Sequence, residues 1–433
     1  MKSFFKKITL FQLAQLAFLA GVFALPLRIS SVIWAGSAWQ LGFFNVFAAF
    51  AVHISELLFL FGFLLLGIAY FAAQRLPVIH LAPLKKHAWP VMLLLGASAI
   101  MIPFSPDPVL SLLGLWRMLL FAGVAGLLAI GLLDRWLLLR VLAFALFLQA
   151  VLAIAQFAGG HDLGLQALGE SSLTADTLNI AKIVTDAGSW VRGMGTLAHA
   201  NILGGLLALG LLLLAGQPAK RAEDYVVAAV MLAGLFFTFS RAAWLALAVG
   251  LAVLLFFEFR RRIVSVLAAG IIFALFAGFF AGIFVARIGT GDLAISSLLA
   301  EQGRLAQLEQ SLQIVQQYPL GAGQGQYTNA LAASHPELAD YQLQPVHHFF
   351  ALQVAEGSLL VAAVWLIVFI AFIYWAYCEQ RYAALAVLAS ALVLAQFDHY
   401  LATSYAGQAM LWLVIGWVLA ELGEGVHVRS IRT

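Results

Sequence analysis

Long apolar runs follow one another along almost the whole chain, separated by short polar segments. A helix needs about 20 mostly apolar residues to cross the hydrocarbon core of a bilayer. The runs predict about twelve membrane-spanning helices, at residues 8–27, 53–73, 88–104, 109–132, 136–158, 199–216, 224–238, 241–258, 262–286, 347–376, 382–398 and 404–422. The apolar stretch 30–52 is broken by Gly36, Gly42 and Asn45, and its pattern fits a spanning, a re-entrant or an interfacial segment.

The composition agrees with this pattern. Of the 433 residues, 64% are hydrophobic and only 10% are charged, whereas soluble domains carry about 25% charged residues. We therefore predict an all-α polytopic membrane protein with a single transmembrane domain over residues 1–433. The N-terminus resembles a signal peptide but lacks a suitable small-x-small cleavage site, which favours a first spanning helix. The net charge of +3 comes without a basic patch containing aromatic residues, so nothing indicates nucleic-acid binding.

The basic residues of the short loops indicate how the chain is oriented, because Lys and Arg are enriched on the cytoplasmic side. With both termini placed in the cytoplasm, every basic cluster falls on that side: Lys2, Lys6, Lys7, Arg75, Lys85, Lys86, Arg135, Lys220, Arg221, Arg260, Arg261, Arg262, Arg381, Arg429 and Arg432. Two long segments, 159–198 and 287–346, then lie outside.

The second outside segment has a helical pattern of its own. Apolar residues recur at helical spacing over 302–318, which predicts an amphipathic helix that lies on the membrane or caps the bundle: Leu305, Leu308, Leu312 and Ile314. Pro319 ends this helix, and we expect the run GAGQGQY at 321–327 to form a flexible turn.

Unusual polar residues gather at the outside helix ends. Such residues are costly near a bilayer and are frequently functional. They form five groups: Arg192, Thr196, His199 and Asn201; Ser240 and Arg241; Arg304; His347 and His348; and Asp398, His399, Tyr400 and Ser404.

Three of these residues are arginines on the side that basic residues avoid. Arg192, Arg241 and Arg304 could each extend to the interface as isolated side chains. Together they suggest an anion site, since Arg forms planar, bidentate hydrogen bonds to phosphate. A diphosphate is the ligand we expect at a membrane surface.

The adjacent histidines could transfer a proton near neutral pH, although an interfacial His is often satisfied by water or a backbone carbonyl. Glu356 follows His347 by about nine residues and would point away, about 13 Å deeper in the helix. We therefore expect it to act in packing or helix pairing. The outside carboxylates have no metal-ligand spacing, and the chain has no nucleotide-binding loop. We expect neither a metal nor another cofactor.

Several blocks carry a resemblance to a known family. RGMGTLAHANILGGLLAL, TFSRAAWLAL and the stretch from GRLAQLEQSLQIVQQYPLGAGQGQY to HHFFALQVAEGSLL, in this order, resemble the O-antigen ligase and O-antigen polymerase superfamily, and FDHYLATSYAGQ is a weaker fourth match. The resemblance covers about residues 185–425. His348 stands where the family usually has Asn, Ser or Gln, and Ser358 stands where it has Gly. The spacing to Glu356 selects His347 as the family histidine.

The resemblance implies a metal-independent glycosyltransferase with a glycosyltransferase-C-like helical bundle in the bacterial inner membrane. The donor would be a glycan on undecaprenyl diphosphate, and the active site would be periplasmic. His347 and Arg304 would be catalytic, with His347 rather than His348 handling the proton. The donor diphosphate would be bound by Arg192, Arg241 and Arg304. The supporting residues would be His199, Asn201, His348, Asp398 and His399.

Two acceptors fit this resemblance. A ligase would transfer the glycan to lipid A–core, and a polymerase would transfer it to the next lipid-linked repeat unit. Chain length and the long segment before His347 favour the ligase. The third alternative, a flippase or other transporter, should carry charges near the midplane and internal repeats, whereas here the polar residues gather on one face. A purely structural membrane protein is the remaining alternative.

Overall fold

The computed structural model describes residues 8–36, 38–40, 43–72, 79, 81–173, 181–185, 188–217, 221–288, 294–339 and 342–430. Its helices are α1 Leu10–Ala24, α2 Ile54–Phe71, α3 Ala82–His87, α4 Trp89–Met101, α5 Pro108–Ala129, α6 Arg135–Gly159, α7 Ala200–Ala215, α8 Ala222–Phe237, α9 Arg241–Phe279, α10 Ala281–Ile288, α11 Ala294–Gln317, α12 Tyr327–Ser334, α13 Phe349–Cys378, α14 Tyr382–Phe397, α15 Tyr400–Thr403 and α16 Tyr405–Ser430. Short 3₁₀ helices lie at Val46–Ala48, Ile102–Phe104 and Gln166–Leu168.

Most of the described chain is helical, as the apolar pattern predicts. In the described residues, 6 helices are long and apolar enough to cross a membrane: Ile54–Phe71, Pro108–Ala129, Arg135–Gly159, Arg241–Phe279, Phe349–Cys378 and Tyr405–Gly423. Shorter apolar helices lie at Leu10–Ala24, Trp89–Phe104, Ala200–Ala215 and Tyr382–Phe397. The helical membrane class is confirmed, and the count of about twelve spans stays a prediction.

The helix α9 contains two of the predicted spans. Its backbone leaves the helical conformation at Glu258, which divides it into two halves. Trp244 near the start packs on Phe273 in the second half, with ring centroids 5.3 Å apart. The second half therefore runs back beside the first, as the separate predictions 241–258 and 262–286 require.

The described residues also contain three small antiparallel ribbons, which the all-α prediction did not include. β1 Ser30–Trp34 pairs with β4 Phe50–His53, β2 Trp39–Gln40 pairs with β3 Phe43–Phe44, and β5 Lys182–Thr185 pairs with β6 Gly188–Val191. The first two ribbons lie within 30–53, so the described residues of this stretch do not form a spanning helix. Its valines, isoleucine and aromatic residues favour strands, and Gly36 adopts a left-handed φ of 44° at the turn.

Ion pairs bring the basic loops together at one end of the bundle. Lys86 pairs with Glu379 at 2.6 Å. Arg135 and Arg381 both approach Glu421, at 3.4 and 3.9 Å. The predicted inside positions Lys2, Lys6, Lys7, Arg75, Lys220 and Arg432 lie outside the described residues. We call the opposite end, where α7, α9 and α13 begin and α8 and α14 finish, the site end.

The predicted helix over 302–318 is present as the second part of α11, and it ends at Gln317 before Pro319. Ile314 is fully buried in a cluster with Tyr327 and Leu352, and Leu308 packs against it. Leu305 and Leu312 point away from this cluster and are 59% and 63% exposed. The helix therefore covers part of the bundle, with its apolar residues divided between two faces.

The glycine turn after α11 is joined to α13 by hydrogen bonds, which the expectation of a flexible turn did not include. The helix α13 is interrupted at Ser358, whose φ is 68°. The interruption frees two carbonyls, and Ala322 N and Gly323 N donate to Ala355 O and Glu356 O at 2.8 Å each. The Glu356 carboxylate also accepts from Tyr327 N at 3.2 Å. Glu356 thus fixes the turn rather than acting on His347, in line with the expected packing role.

Candidate active site

His347 and Asp398 meet at the site end, although they are far apart in sequence. His347 lies just before α13, and Asp398 directly follows α14. Nδ1 of His347 lies 3.2 Å from Oδ1 of Asp398. Because an ionised carboxylate only accepts hydrogen bonds, Nδ1 carries a proton, and in the neutral ring this tautomer leaves the lone pair on Nε2.

Asp398 is buried but stays ionised. Burial alone would raise its pKa, but the hydrogen bonds from His347 and Asn201 hold the pKa well below its usual value. His399 N also donates to Oδ1 at 2.8 Å. The carboxylate is therefore a fixed negative charge that orients the ring of His347.

A chain of hydrogen bonds joins this pair to the first of the predicted arginines. Asn201 Nδ2 donates to Oδ2 of Asp398 at 3.0 Å. Arg192 in turn donates to Oδ1 of Asn201 at 2.6 Å. His199 caps α7, and its Nδ1 accepts from Asn201 N at 3.1 Å. The structure thus brings Arg192, His199, Asn201, His347 and Asp398, which come from three of the sequence groups, into one network.

The turn between α8 and α9 positions two arginines. Phe239 adopts a left-handed φ of 47° there. The carbonyl of Thr238 accepts from Arg192 Nε, and that of Phe239 accepts from Arg287 Nε, each at 2.7 Å. Two guanidinium groups from different segments are therefore anchored on one tight turn.

The arginines are close enough to repel one another. Burial lowers the pKa of Arg192 strongly, and the positive charges of Arg287 and Arg241 lower it further, while Asp398 opposes them. Burial lowers the pKa of Arg287 to about 10, with Arg241 and Arg304 adding to the effect. Like charges gathered in this way favour an anionic ligand. We call Arg192, Arg241, Arg287 and Arg304 the arginine group.

Arg287 was missed by the sequence analysis. The signal was available, since Arg287 lies at the end of a predicted helix on the same disfavoured side as Arg241. A buried ion pair, in which Arg117 Nε donates to Glu56 Oε1 at 2.8 Å, was not predicted either. Its signal in the sequence is that both charged residues interrupt otherwise apolar predicted helices.

A cavity of about 490 Å³ opens beside His347. His199, Asp398 and His399 line it together with His347, and its other wall comes from residues 25–53 and Arg117. Arg241, Arg287 and Arg304 are not among its lining residues. The arginine group, Arg192 included, therefore does not line the cavity that His347 faces, and the convergence of the arginines on one anionic site stays a prediction.

His348 faces a different environment from its neighbour. Its Nδ1 accepts from Ala351 N at 3.1 Å and thereby caps α13. Its Nε2 lies 3.1 Å from Oε1 of Gln396. Both ring nitrogens are thus engaged in local contacts, which is the arrangement we expected of His348 if His347 handles the proton.

His347, Asp398 and His399 could also hold a metal ion, because their ligand atoms all lie within 4.8 Å of one another. Burial lowers the pKa of His399 to about 4, so its ring is neutral, as metal binding requires. The sequence spacing gave no sign of this group. The same contacts are also explained by the hydrogen bonds of the His347–Asp398 pair, and the expected independence from metals stays a prediction.

A comparison with known protein families gives a match to part of the chain that forms this site. The O-antigen ligase family model matches residues 226–353. The matched stretch contains Arg241, Arg287, Arg304, His347 and His348, whereas Arg192, Asn201 and Asp398 lie beyond it. No curated protein matches the chain. The family match confirms the resemblance of this chain to the O-antigen ligase and O-antigen polymerase superfamily.

Proposed function

We propose that this chain is a metal-independent glycosyltransferase of the bacterial inner membrane. It moves a glycan from undecaprenyl diphosphate to an acceptor hydroxyl on the periplasmic side, and its acceptor is lipid A–core, as in an O-antigen ligase. One observation carries the proposal. The His347–Asp398 pair, with 3.2 Å between Nδ1 and Oδ1, is joined through Asn201 to Arg192 and hence to the arginine group.

The pair suits the deprotonation of a sugar hydroxyl. Nε2 of His347 accepts the hydroxyl proton while the acceptor oxygen attacks the anomeric carbon of the donor. The bond between that carbon and the diphosphate oxygen breaks, and its electron pair leaves with undecaprenyl diphosphate. Asp398 holds the ring in the required tautomer and stabilises the imidazolium that forms.

The arginine group suits the other half of the reaction. Charge develops on the diphosphate as it leaves, and guanidinium groups stabilise it through charge-assisted hydrogen bonds. The anchoring of Arg192 and Arg287 on the 238–240 turn reduces the reorganisation needed when the donor binds. A divalent cation is not required for this step.

Among the alternatives, a polymerase of the same superfamily shares the same donor and the same chemistry. The substantial segment before His347 favours the ligase. A flippase is less well supported, because Arg192, Arg241, Arg287 and the His347–Asp398 pair lie in loops or at helix ends of the site end rather than midway along the bundle.

A reconstituted assay tests the proposal. The purified protein is placed in vesicles with a glycan linked to undecaprenyl diphosphate and with lipid A–core, and the products are separated by gel and identified by mass spectrometry. Glycosylated lipid A–core supports the ligase. Longer lipid-linked glycans without modified lipid A–core support the polymerase. A folded protein that gives neither product contradicts the proposal.

A further inference from the structure

The cavity beside His347 has a second wall that the proposed chemistry does not use. This wall comes from the N-terminal part of the chain and from α5, and it includes Arg28, Ser30, His53 and Arg117. All of these residues precede the matched stretch 226–353. They face the same space as His347, so a molecule that fills the cavity contacts both walls.

The two cations of this wall differ in their partners. Arg117 is neutralised by Glu56, with 2.8 Å between Nε and Oε1, and its guanidinium stacks 3.9 Å from the centroid of the Phe50 ring. Arg28 is exposed, and NH1 donates to two neutral groups, Ser171 Oγ at 3.0 Å and Gly169 O at 3.4 Å. Among the described residues, Arg28 is therefore a cavity cation whose hydrogen bonds end on neutral oxygens and leave its charge available.

Arg28 lines the cavity, and this distinguishes it from the arginine group. Arg241, Arg287 and Arg304 do not line the cavity, whereas His347 does. In a displacement at an anomeric carbon, a nucleophile activated by a base can attack from the face opposite the leaving group. With the diphosphate on the arginine group, the acceptor would then occupy the cavity, between His347 and the wall that carries Arg28.

We infer that the cavity is the acceptor subsite and that Arg28 binds an anionic substituent, a phosphate or a carboxylate, on the acceptor saccharide. This inference rests on the proposed glycosyl transfer. The fixed fork of a guanidinium suits both anions, and no carboxylate partner has to be displaced before Arg28 binds one. Arg28 is thus a specificity residue for acidic acceptors and takes no part in the chemical step.

The test measures KM and kcat for each substrate in the reconstituted assay. The variants are Arg28→Gln and Arg28→Lys, and Ser171→Ala is the matched control, because it removes the same contact to the 169–171 loop without removing the cation. The acceptors are intact lipid A–core, the same material after phosphatase treatment, and the same material with its carboxylates converted to amides. If the wild type instead extends lipid-linked glycans, repeat units with and without a carboxylate replace these acceptors.

We expect Arg28→Gln to raise the KM for intact acceptor about tenfold, the effect of one lost charge-assisted hydrogen bond. The KM for the donor should stay unchanged, which also shows that the variant is folded. The KM of Arg28→Lys for intact acceptor should lie between those of the wild type and Arg28→Gln. The KM of Ser171→Ala should equal that of the wild type. The substituent that Arg28 binds is the one whose removal raises the wild-type KM and abolishes the difference between the wild type and Arg28→Gln.

Two results would overturn the inference while leaving the proposed function intact. One is an active Arg28→Gln variant with an unchanged KM for every acceptor. The other is a Ser171→Ala variant that reproduces the defect, since Arg28 would then only hold the loop. Failure of the wild type to transfer glycan to any acceptor would overturn the proposed function and this inference together.

Discussion

Nδ1 of His347 donates to Oδ1 of Asp398 across 3.2 Å, and this contact joins the start of α13 to the end of α14. It fixes which nitrogen of the ring is protonated. It also places the imidazole between the cavity and the network that leads to Arg192. The orientation of one ring therefore depends on residues from several separate segments.

Asp398→Asn should lower kcat by about 10²–10⁴-fold, because an amide can donate to Nδ1 and so favour the wrong tautomer of His347. The KM for the donor should change little, since the arginine group is retained. Initial rates at several donor concentrations separate these effects. An Asp398→Asn variant with the kcat of the wild type would remove Asp398 from the mechanism.

Arg→Lys substitutions at Arg192, Arg241, Arg287 and Arg304 should each reduce donor use by about tenfold or more, since Lys lacks the bidentate fork. Arg287→Lys is the most informative of these variants, because only the structure connects Arg287 with the other arginines. Arg261→Lys is the matched control, since Arg261 lies at the opposite end of the bundle and its side chain is 67% exposed. Full activity in all four site variants would contradict the diphosphate site.

Transfer should survive chelation. The arginine group can stabilise the leaving diphosphate without a divalent ion. The assay is run with EDTA, and then with Mg²⁺, Mn²⁺ or Zn²⁺ added back. Complete loss of transfer on chelation, followed by recovery with one of these ions, would instead make His347, Asp398 and His399 a metal centre.

Residues 159–198 and 287–346 should be accessible from the periplasm. In a chain whose native cysteine is replaced by Ser, Ser171→Cys and Ser334→Cys should react with an impermeant thiol reagent in intact cells. Native Cys378 is exposed and belongs to the end that carries the basic loops, so in the unmodified chain it should react only after permeabilisation. The reverse labelling pattern would invert the topology and the function built on it.

Much of the helical framework could be predicted, because apolar runs report directly on burial in lipid. The ribbon at 30–53 could not, since its apolar residues fit a short membrane segment equally well, and its strand character depends on pairing between Ser30 and His53. For the site, the basic loops predicted the side of the membrane on which each polar residue lies. The contact of His347 with Asp398 and the interruption of α13 at Ser358 could not be predicted, because both depend on how distant helices pack.

The central claim is that His347 accepts the acceptor proton, and it is tested most directly by kcat for glycan transfer in reconstituted vesicles. The wild type, His347→Ala and His348→Asn are compared at matched protein amounts. We predict that His347→Ala loses about 10²–10⁴-fold in kcat, or about 3–5 kcal/mol of transition-state stabilisation. His348→Asn should stay active, because Asn can also cap α13. An active His347→Ala beside an inactive His348→Asn would contradict the account.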